Sequence, residues 1–207
     1  MLTIADRLDR AIEDIEKGAI DFALESICIA LDLTAQRTYH RSPSDKRDYK
    51  KLINDYSWLV ELIGLPGLNL EDSRFGNYPI RGNPTPSFQD LVYHIVRCGL
   101  VHDIGVPNNF QFAETHLITL DQDLIEFPIT LVWALLAIVV FCPCNSGERL
   151  SKPRKVVVAG QDLLIDDCWG KVDLAKGLYA RYQPIRVILN IGADRGYPMV
   201  IEFKPSA

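Results

Sequence analysis

Arg97 and His102 are the residues in this chain most suited to chemistry. They stand five positions apart near the end of Asp90-Leu91-Val92-Tyr93-His94-Ile95-Val96-Arg97-Cys98-Gly99-Leu100-Val101-His102-Asp103. An imidazole exchanges a proton near neutral pH, and a guanidinium holds an anionic group with several donors at once. Pro86 suits a first helical turn, and Ser87 with Asp90 three residues on fits a capping box, so a helix is expected to begin here. Phe88, Leu91, Val92 and Ile95 recur at the spacing of one buried helical face. At about 100° per residue, Arg97 falls opposite that face and His102 returns to its edge, so the core does not need Arg97. A bland account stands beside the chemical one. Arg97 is then a solvated or interface residue, and His102 a cation favoured at a helix C-terminus. Cys98, His102 and Asp103 also supply the residue types of a thiol hydrolase, but three types on one helix define no attack geometry, and a packed thiol is the simpler account of Cys98.

The string from Val96 to His102, ending an amphipathic helix that two other long helices precede, resembles the Arg-x4-His form of the HEPN superfamily signature. That resemblance implies a mainly α fold, an antiparallel helical bundle, and a homodimer that brings two motifs together. It also implies metal-independent RNA cleavage without a cofactor, with His102 as acid or base and Arg97 holding the phosphate. Tyr93, Cys98 and Asp103 would stand in support. The mechanism that follows is attack of an RNA 2′-hydroxyl on the adjacent phosphate, His102 moving protons and Arg97 stabilising the developing charge. Such a protein would act in defence or as part of a toxin–antitoxin system, with RNA as substrate and an antitoxin or nucleotidyltransferase as protein partner. Cys98 stands where active members often carry a polar residue. The alternative is therefore a noncatalytic HEPN-like module that binds RNA or a partner.

A third reading comes from His102-Asp103-Ile104-Gly105, which resembles the HDIG string of HD-type metal phosphohydrolases. Such a site needs more ligands, and the other histidines are His40, His94 and His116. His94 is too near in sequence to be the separate upstream ligand, and His40 sits in a basic polar segment. Val106-Pro107 replaces the Lys usual after the string. No metal is expected.

The formal net charge of -5 argues against a protein coated in basic surface, so any RNA contact must be focal. One local reversal fits that demand. Arg37, Arg41, Lys46, Arg47, Lys50 and Lys51 face only Asp45 and Asp48 within residues 37–51. Lys46, Arg47, Lys50 and Lys51 are the candidate phosphate contacts, with Tyr39 and Tyr49 available for stacking. A solvated helix start explains the same run.

The elements that must position these groups are mostly helical. Ile4, Leu8, Ala11, Ile12 and Ile15 form one stripe, and Ile20, Leu24, Ile27, Leu31 and Ala35 continue it after Gly18, as two helices or one kinked helix. A third helix is expected over residues 44–63, ended by Gly64 and Pro66. Residues 64–85 hold four Gly and three Pro and are expected to lack regular helix. A short strand is expected at 116–120. The apolar run from Ile129 to Cys142, 14 residues long, is too short to span a bilayer and reads as a buried central helix with Pro128 in its first turn.

The chain has 207 residues, 48% of them hydrophobic, which is enough for a substantial core. The expected organisation is a helical bundle over residues 1–145 with a small β-containing appendage over 146–207, α+β overall. That appendage would hold a hairpin across Val156-Val157-Val158 and Leu163-Leu164-Ile165, a helix around 167–182 and two further strands. Five Cys without paired Cys-x-x-Cys spacings suggest reduced thiols and a cytoplasmic location. Cys142-Pro143-Cys144, the one close pair, reads as a helix end passing into a loop. Met1 to Arg7 does not read as a signal peptide, and no membrane contact is expected.

Overall fold

The computed structural model describes residues 2–76, 80, 82–99, 110–115, 117–120, 124–182, 188–191 and 199–202. It is a mixed α+β structure in which helix outweighs strand. The first two helices, α1 (Ile4–Glu16) and α2 (Ile20–Tyr39), are separate, with Gly18 at φ 73° between them. Thr3 and Asp6 form a reciprocal capping box that satisfies the free N–H groups at the start of α1. Most of the predicted stripe is buried: Ile4, Leu8, Ala11, Ile12, Leu24, Ile27, Leu31 and Ala35 are in the core, while Ile15 and Ile20, either side of the Gly18 break, are half-buried against it.

The single helix expected over residues 44–63 is two helices, α3 (Lys46–Asp55) and α4 (Ser57–Ile63), broken at Tyr56 with φ -113° and ψ 16°. A competing donor accounts for the break. The Asp55 carbonyl, which would accept from the Leu59 N–H in a continuous helix, accepts instead from the Trp58 indole at 3.1 Å. The Leu59 N–H turns to the Tyr56 carbonyl at 2.9 Å. Leu65, Leu68, Leu70 and Phe75 of the following Gly/Pro-rich stretch are buried, so this stretch forms part of the core wall. It contains the two-residue strand β1 (Arg74–Phe75).

The motif helix, α5, starts at Phe88 under the predicted Ser87 and Asp90 capping box. It is regular only over Phe88–Leu91. Over Val92–Arg97 it widens into a π-helical turn, a form found mostly as short bulges at functional sites. Phe88, Leu91 and Val92 are buried as the spacing predicts, and Val96 is buried after them. The side chain of Ile95, the fourth member of the predicted stripe, lies outside the described set.

Next come β2 (Phe110–Ala113), β3 (Leu117–Leu120) and β4 (Ile125–Pro128). The expected strand at 116–120 is thus present as β3, but β2 and β4 extend it into a sheet of order β2-β4-β3-β8, with β8 (Met199–Glu202) from the C-terminal region. Pairing is parallel between β2 and β4 and antiparallel elsewhere. Pro128 therefore ends a strand, opposite Ala113, and does not open the apolar helix. That helix, α6 (Thr130–Phe141), begins after Ile129 N–H bonds the Ala113 carbonyl at 2.8 Å.

As expected, α6 is covered on nearly every side, its residues from Leu131 to Phe141 being buried except Trp133. Each large aliphatic side chain so buried contributes about 1.5–3 kcal/mol by removal from water. Gly64 makes the close approach of the preceding chain to α6 possible, since a Cβ there would stand 3.0 Å from Leu131 Cα.

The hairpin of β5 (Lys155–Val158) and β6 (Gln161–Leu164) turns through Ala159 and Gly160, both at positive φ, which matches the twist of paired strands. The last described helix is α7 (Val172–Tyr182), and β7 (Asn190–Ile191) pairs in parallel with β1. Leu150, Val158, Ile165, Trp169, Ala175 and Leu178 belong to the same buried cluster as the helices before residue 146.

Candidate anion-binding site on the motif helix

Tyr93 is the centre of the site. Its ring sits edge-on to that of Tyr49 on α3, with centroids 5.6 Å apart, and next to the ring of His94 at 5.1 Å. The Arg97 guanidinium lies over the Tyr93 ring, 5.4 Å from its centroid, and Lys46 Nζ from the first turn of α3 lies over the same ring at 5.5 Å. Two cations from two elements therefore share one aromatic side chain. Cation–π contacts of this kind are worth about 0.5–1 kcal/mol where partly solvated.

Beneath this layer the site rests on buried groups. Tyr49 is 1% exposed and its hydroxyl, close to the Cys28 thiol, has no hydrogen-bond partner of normal geometry. Burial pushes the Tyr49 hydroxyl well above its ordinary pKa and the Cys28 thiol up to about 12, so both stay neutral. Burial alone would lower the Arg97 pKa, but Tyr93, Cys98 and Asp32 outweigh it and keep the guanidinium charged. Burial and then Lys46 hold His94 below its ordinary value, which leaves the imidazole neutral at neutral pH.

The basic run divides. Lys46 reaches the motif helix, whereas Lys50 pairs with Asp90 at its capping box. Lys51 bonds Asp55 at 2.5 Å and lies over the Tyr39 ring, and Arg47 pairs with Asp45 at 3.4 Å from an almost fully exposed position. Cys98 is half-buried beside Arg97, among the groups that act on its charge. His102 and Asp103 lie outside the described residues, as does the rest of the HDIG string. Arg97, Tyr93, Cys98 and Lys46 are thus brought together. Among the described residues no group of three or more His, Cys, Asp or Glu side chains is placed to hold a metal ion.

The meeting of Lys46 with Tyr93 has no sequence signal, because it depends on how α3 crosses α5. A model of the Rv1289 family matches residues 3–193. The chain belongs to the Rv1289 family. Rv1289 and MT1327 of Mycobacterium tuberculosis and Mb1320 of Mycobacterium bovis are each 21% identical to it over 182 residues, covering 83% of this chain and 85% of the relative. Their names state no activity. No solved structure matches the chain. Among the described residues no helix is long and apolar enough to cross a membrane.

Proposed function

We propose that the protein is a metal-independent endoribonuclease of HEPN type, working in the cytoplasm as a homodimer. Arg97 stabilises the charge on the scissile phosphate, and His102 moves protons to and from the attacking 2′-hydroxyl and the leaving oxygen. Lys46 holds a neighbouring phosphate, and the Tyr93 ring sets the two cations side by side. The observation that carries the reading is the placement of Arg97 and Lys46 over the single Tyr93 ring. It gives an acidic chain a focal patch of positive charge with an aromatic face, on the element that carries the Arg-x4-His string. The π turn ending at Arg97 adds support, because such turns cluster at working sites.

The test is to incubate the full chain with RNA in EDTA. Cleavage should leave 2′,3′-cyclic phosphate ends, and His102→Ala should abolish it. Cleavage that needs Mn²⁺ or Fe²⁺ would put the HD-type phosphohydrolase in its place. Tight RNA binding without cleavage would favour the noncatalytic module, a reading that Cys98 beside Arg97 supports.

A further inference from the structure

The Cys142-Pro143-Cys144 sequence does more than end a helix. Cys142 caps α6 in an extended conformation, and Pro143–Asn145 then forms one 3-10 turn, which brings Cys142 Sγ and Cys144 Sγ to 3.4 Å. A disulfide needs about 2.05 Å between sulfurs and Cα atoms about 4.4–6.8 Å apart. Two residues of chain span at most about 7 Å when fully extended, and this segment bends, so the backbone already satisfies the second condition.

The polar groups around the two sulfurs are arranged asymmetrically. Cys144 Sγ lies 3.4 Å from Cys142 Sγ, 3.7 Å from the Thr34 carbonyl and 3.5 Å from Asn145 Oδ1, so its single proton has three acceptors to choose among and goes to Cys142 when that sulfur is charged. The Thr38 hydroxyl is 2.8 Å from the Thr34 carbonyl and 3.4 Å from both sulfurs, so its one rotatable proton can serve whichever of these carries most charge. Asn145 is fully buried and fixed by bonds to Thr34 Oγ1 at 3.0 Å and the Val139 carbonyl at 2.9 Å, while its Oδ1 accepts from Arg37 at 3.0 Å. This network depresses the Cys142 thiol to about 5, the Cys144 S–H being the main cause and Thr38, Tyr56 and the Cys144 N–H adding to it, against burial. Cys144 is pushed up, first by its bond to Cys142 and then by burial. Cys142 is 1% exposed and Cys144 beside it half-buried, so the pair meets solvent through Cys144.

We propose that Cys142 and Cys144 are a reversible peroxide-oxidised pair, Cys142 as the reacting thiolate and Cys144 as the resolving thiol. Cys142 sulfur attacks one oxygen of hydrogen peroxide. The O–O bond breaks, hydroxide leaves, and sulfur is oxidised to sulfenic acid as the peroxide is reduced. Cys144 Sγ then attacks Cys142 Sγ. The S–O bond breaks, the departing hydroxyl takes the Cys144 proton as water, and a disulfide remains. A reducing dithiol returns both thiols. Cys28 and Cys168 are buried without a partner sulfur in hydrogen-bonding contact among the described residues and stay reduced.

The experiment treats the folded full chain with hydrogen peroxide, removes the oxidant, unfolds and alkylates the chain, and maps the chymotryptic peptide that begins after Phe141. Its mass should fall by two hydrogens and it should refuse alkylation until a dithiol is added. The oxidation rate should be flat with pH above about 6, where an ordinary thiol still gains thiolate up to about 8.5. Cys144→Ser should yield a trapped sulfenic acid at Cys142, and Cys144→Ala, which also removes the chief hydrogen-bond donor, should in addition move the profile to higher pH. Full alkylation of both residues after peroxide would overturn the proposal, as would a wild-type rate that climbs with pH like a free thiol. If either variant fails to fold, the wild-type peptide and pH profile still decide the question.

Discussion

Lys50 of α3 reaches across to pair with Asp90, the same carboxylate that caps α5. Asp90 Oδ2 also accepts from Ser87 N–H at 3.1 Å, Ser87 Oγ at 2.8 Å and Asn83 Nδ2 at 3.0 Å. One acidic group therefore ties α3, the stretch before the motif and the motif helix into a single frame beneath Tyr93.

Removing that group should loosen the frame. Burial raises the Asp90 pKa, but Lys50 and Ser87 outweigh it and hold the carboxyl below its ordinary range. A carboxyl depressed on folding contributes stability that is present above its unfolded pKa of about 3.9 and lost as pH falls through the folded value. Asp90→Asn should lower unfolding stability by about 1–3 kcal/mol at neutral pH and remove part of the acid-induced loss below pH ~4. Urea titrations at neutral and acid pH measure both. A variant with the wild-type acid slope would show that Asp90 is not held as described.

His94 should report on Lys46. Burial and then Lys46 lower its pKa, while Asp90 acts in the opposite sense. Lys46→Met should therefore raise the His94 pKa toward 6.5, its ordinary value, as read by NMR titration of the imidazole. Because the folded value lies below the unfolded one, His94 costs stability as pH falls through the unfolded value toward the folded one, and that loss should shrink in Lys46→Met. An unchanged or lower His94 pKa would place Lys46 away from the Tyr93 cluster.

What was legible in the sequence was local. The stripes of α1 and α2, the Ser87 and Asp90 cap and the β5–β6 hairpin all follow from residues a few positions apart. The break at Tyr56 follows from one indole N–H taking one carbonyl, and periodicity does not record such a choice. Proline suits both a helix start and the end of a strand, and Pro128 takes the second place because it pairs with Ala113, fifteen residues earlier. Part of the site was legible too. Arg97 was separable from the core by its angle, but the partners that share its aromatic ring come from α3, and the π turn under it leaves no mark in residue spacing.

Two glycines at similar positive φ should behave differently. Gly18 has φ 73° and open space around a Cβ, so Gly18→Ala should cost about 1 kcal/mol from backbone strain alone. Gly170 has φ 71°, and a Cβ there would stand 2.6 Å from Ser146 Cβ and 2.8 Å from Ser146 Cα, while its N–H bonds the Val140 carbonyl at 2.8 Å. Backbone cannot move aside as a side chain can. Gly170→Ala should be clearly the more destabilising in thermal unfolding, and equal losses would contradict the close approach at Ser146.

The proposed ribonuclease makes a demand on assembly. Arg97 closes the π turn, and on residue spacing alone five positions at α-helical pitch turn about 140° around the axis, so an unbroken helix would not aim Arg97 and His102 of one chain at a common point. A two-fold dimer that sets two motif helices together lets each phosphate meet Arg97 of one chain and His102 of the other. Arg97→Ala chains and His102→Ala chains should each be inactive alone. After subunit exchange the mixed dimer holds one composite cleft with both wild-type side chains, so RNA cleavage should return to as much as about half the wild-type rate per mixed dimer, given two sites related by symmetry. Sites complete within each chain predict no recovery, because every chain in the mixture then lacks one of its two groups. Full cleavage by a protein that sediments as a monomer at the assay concentration would reject the composite site directly.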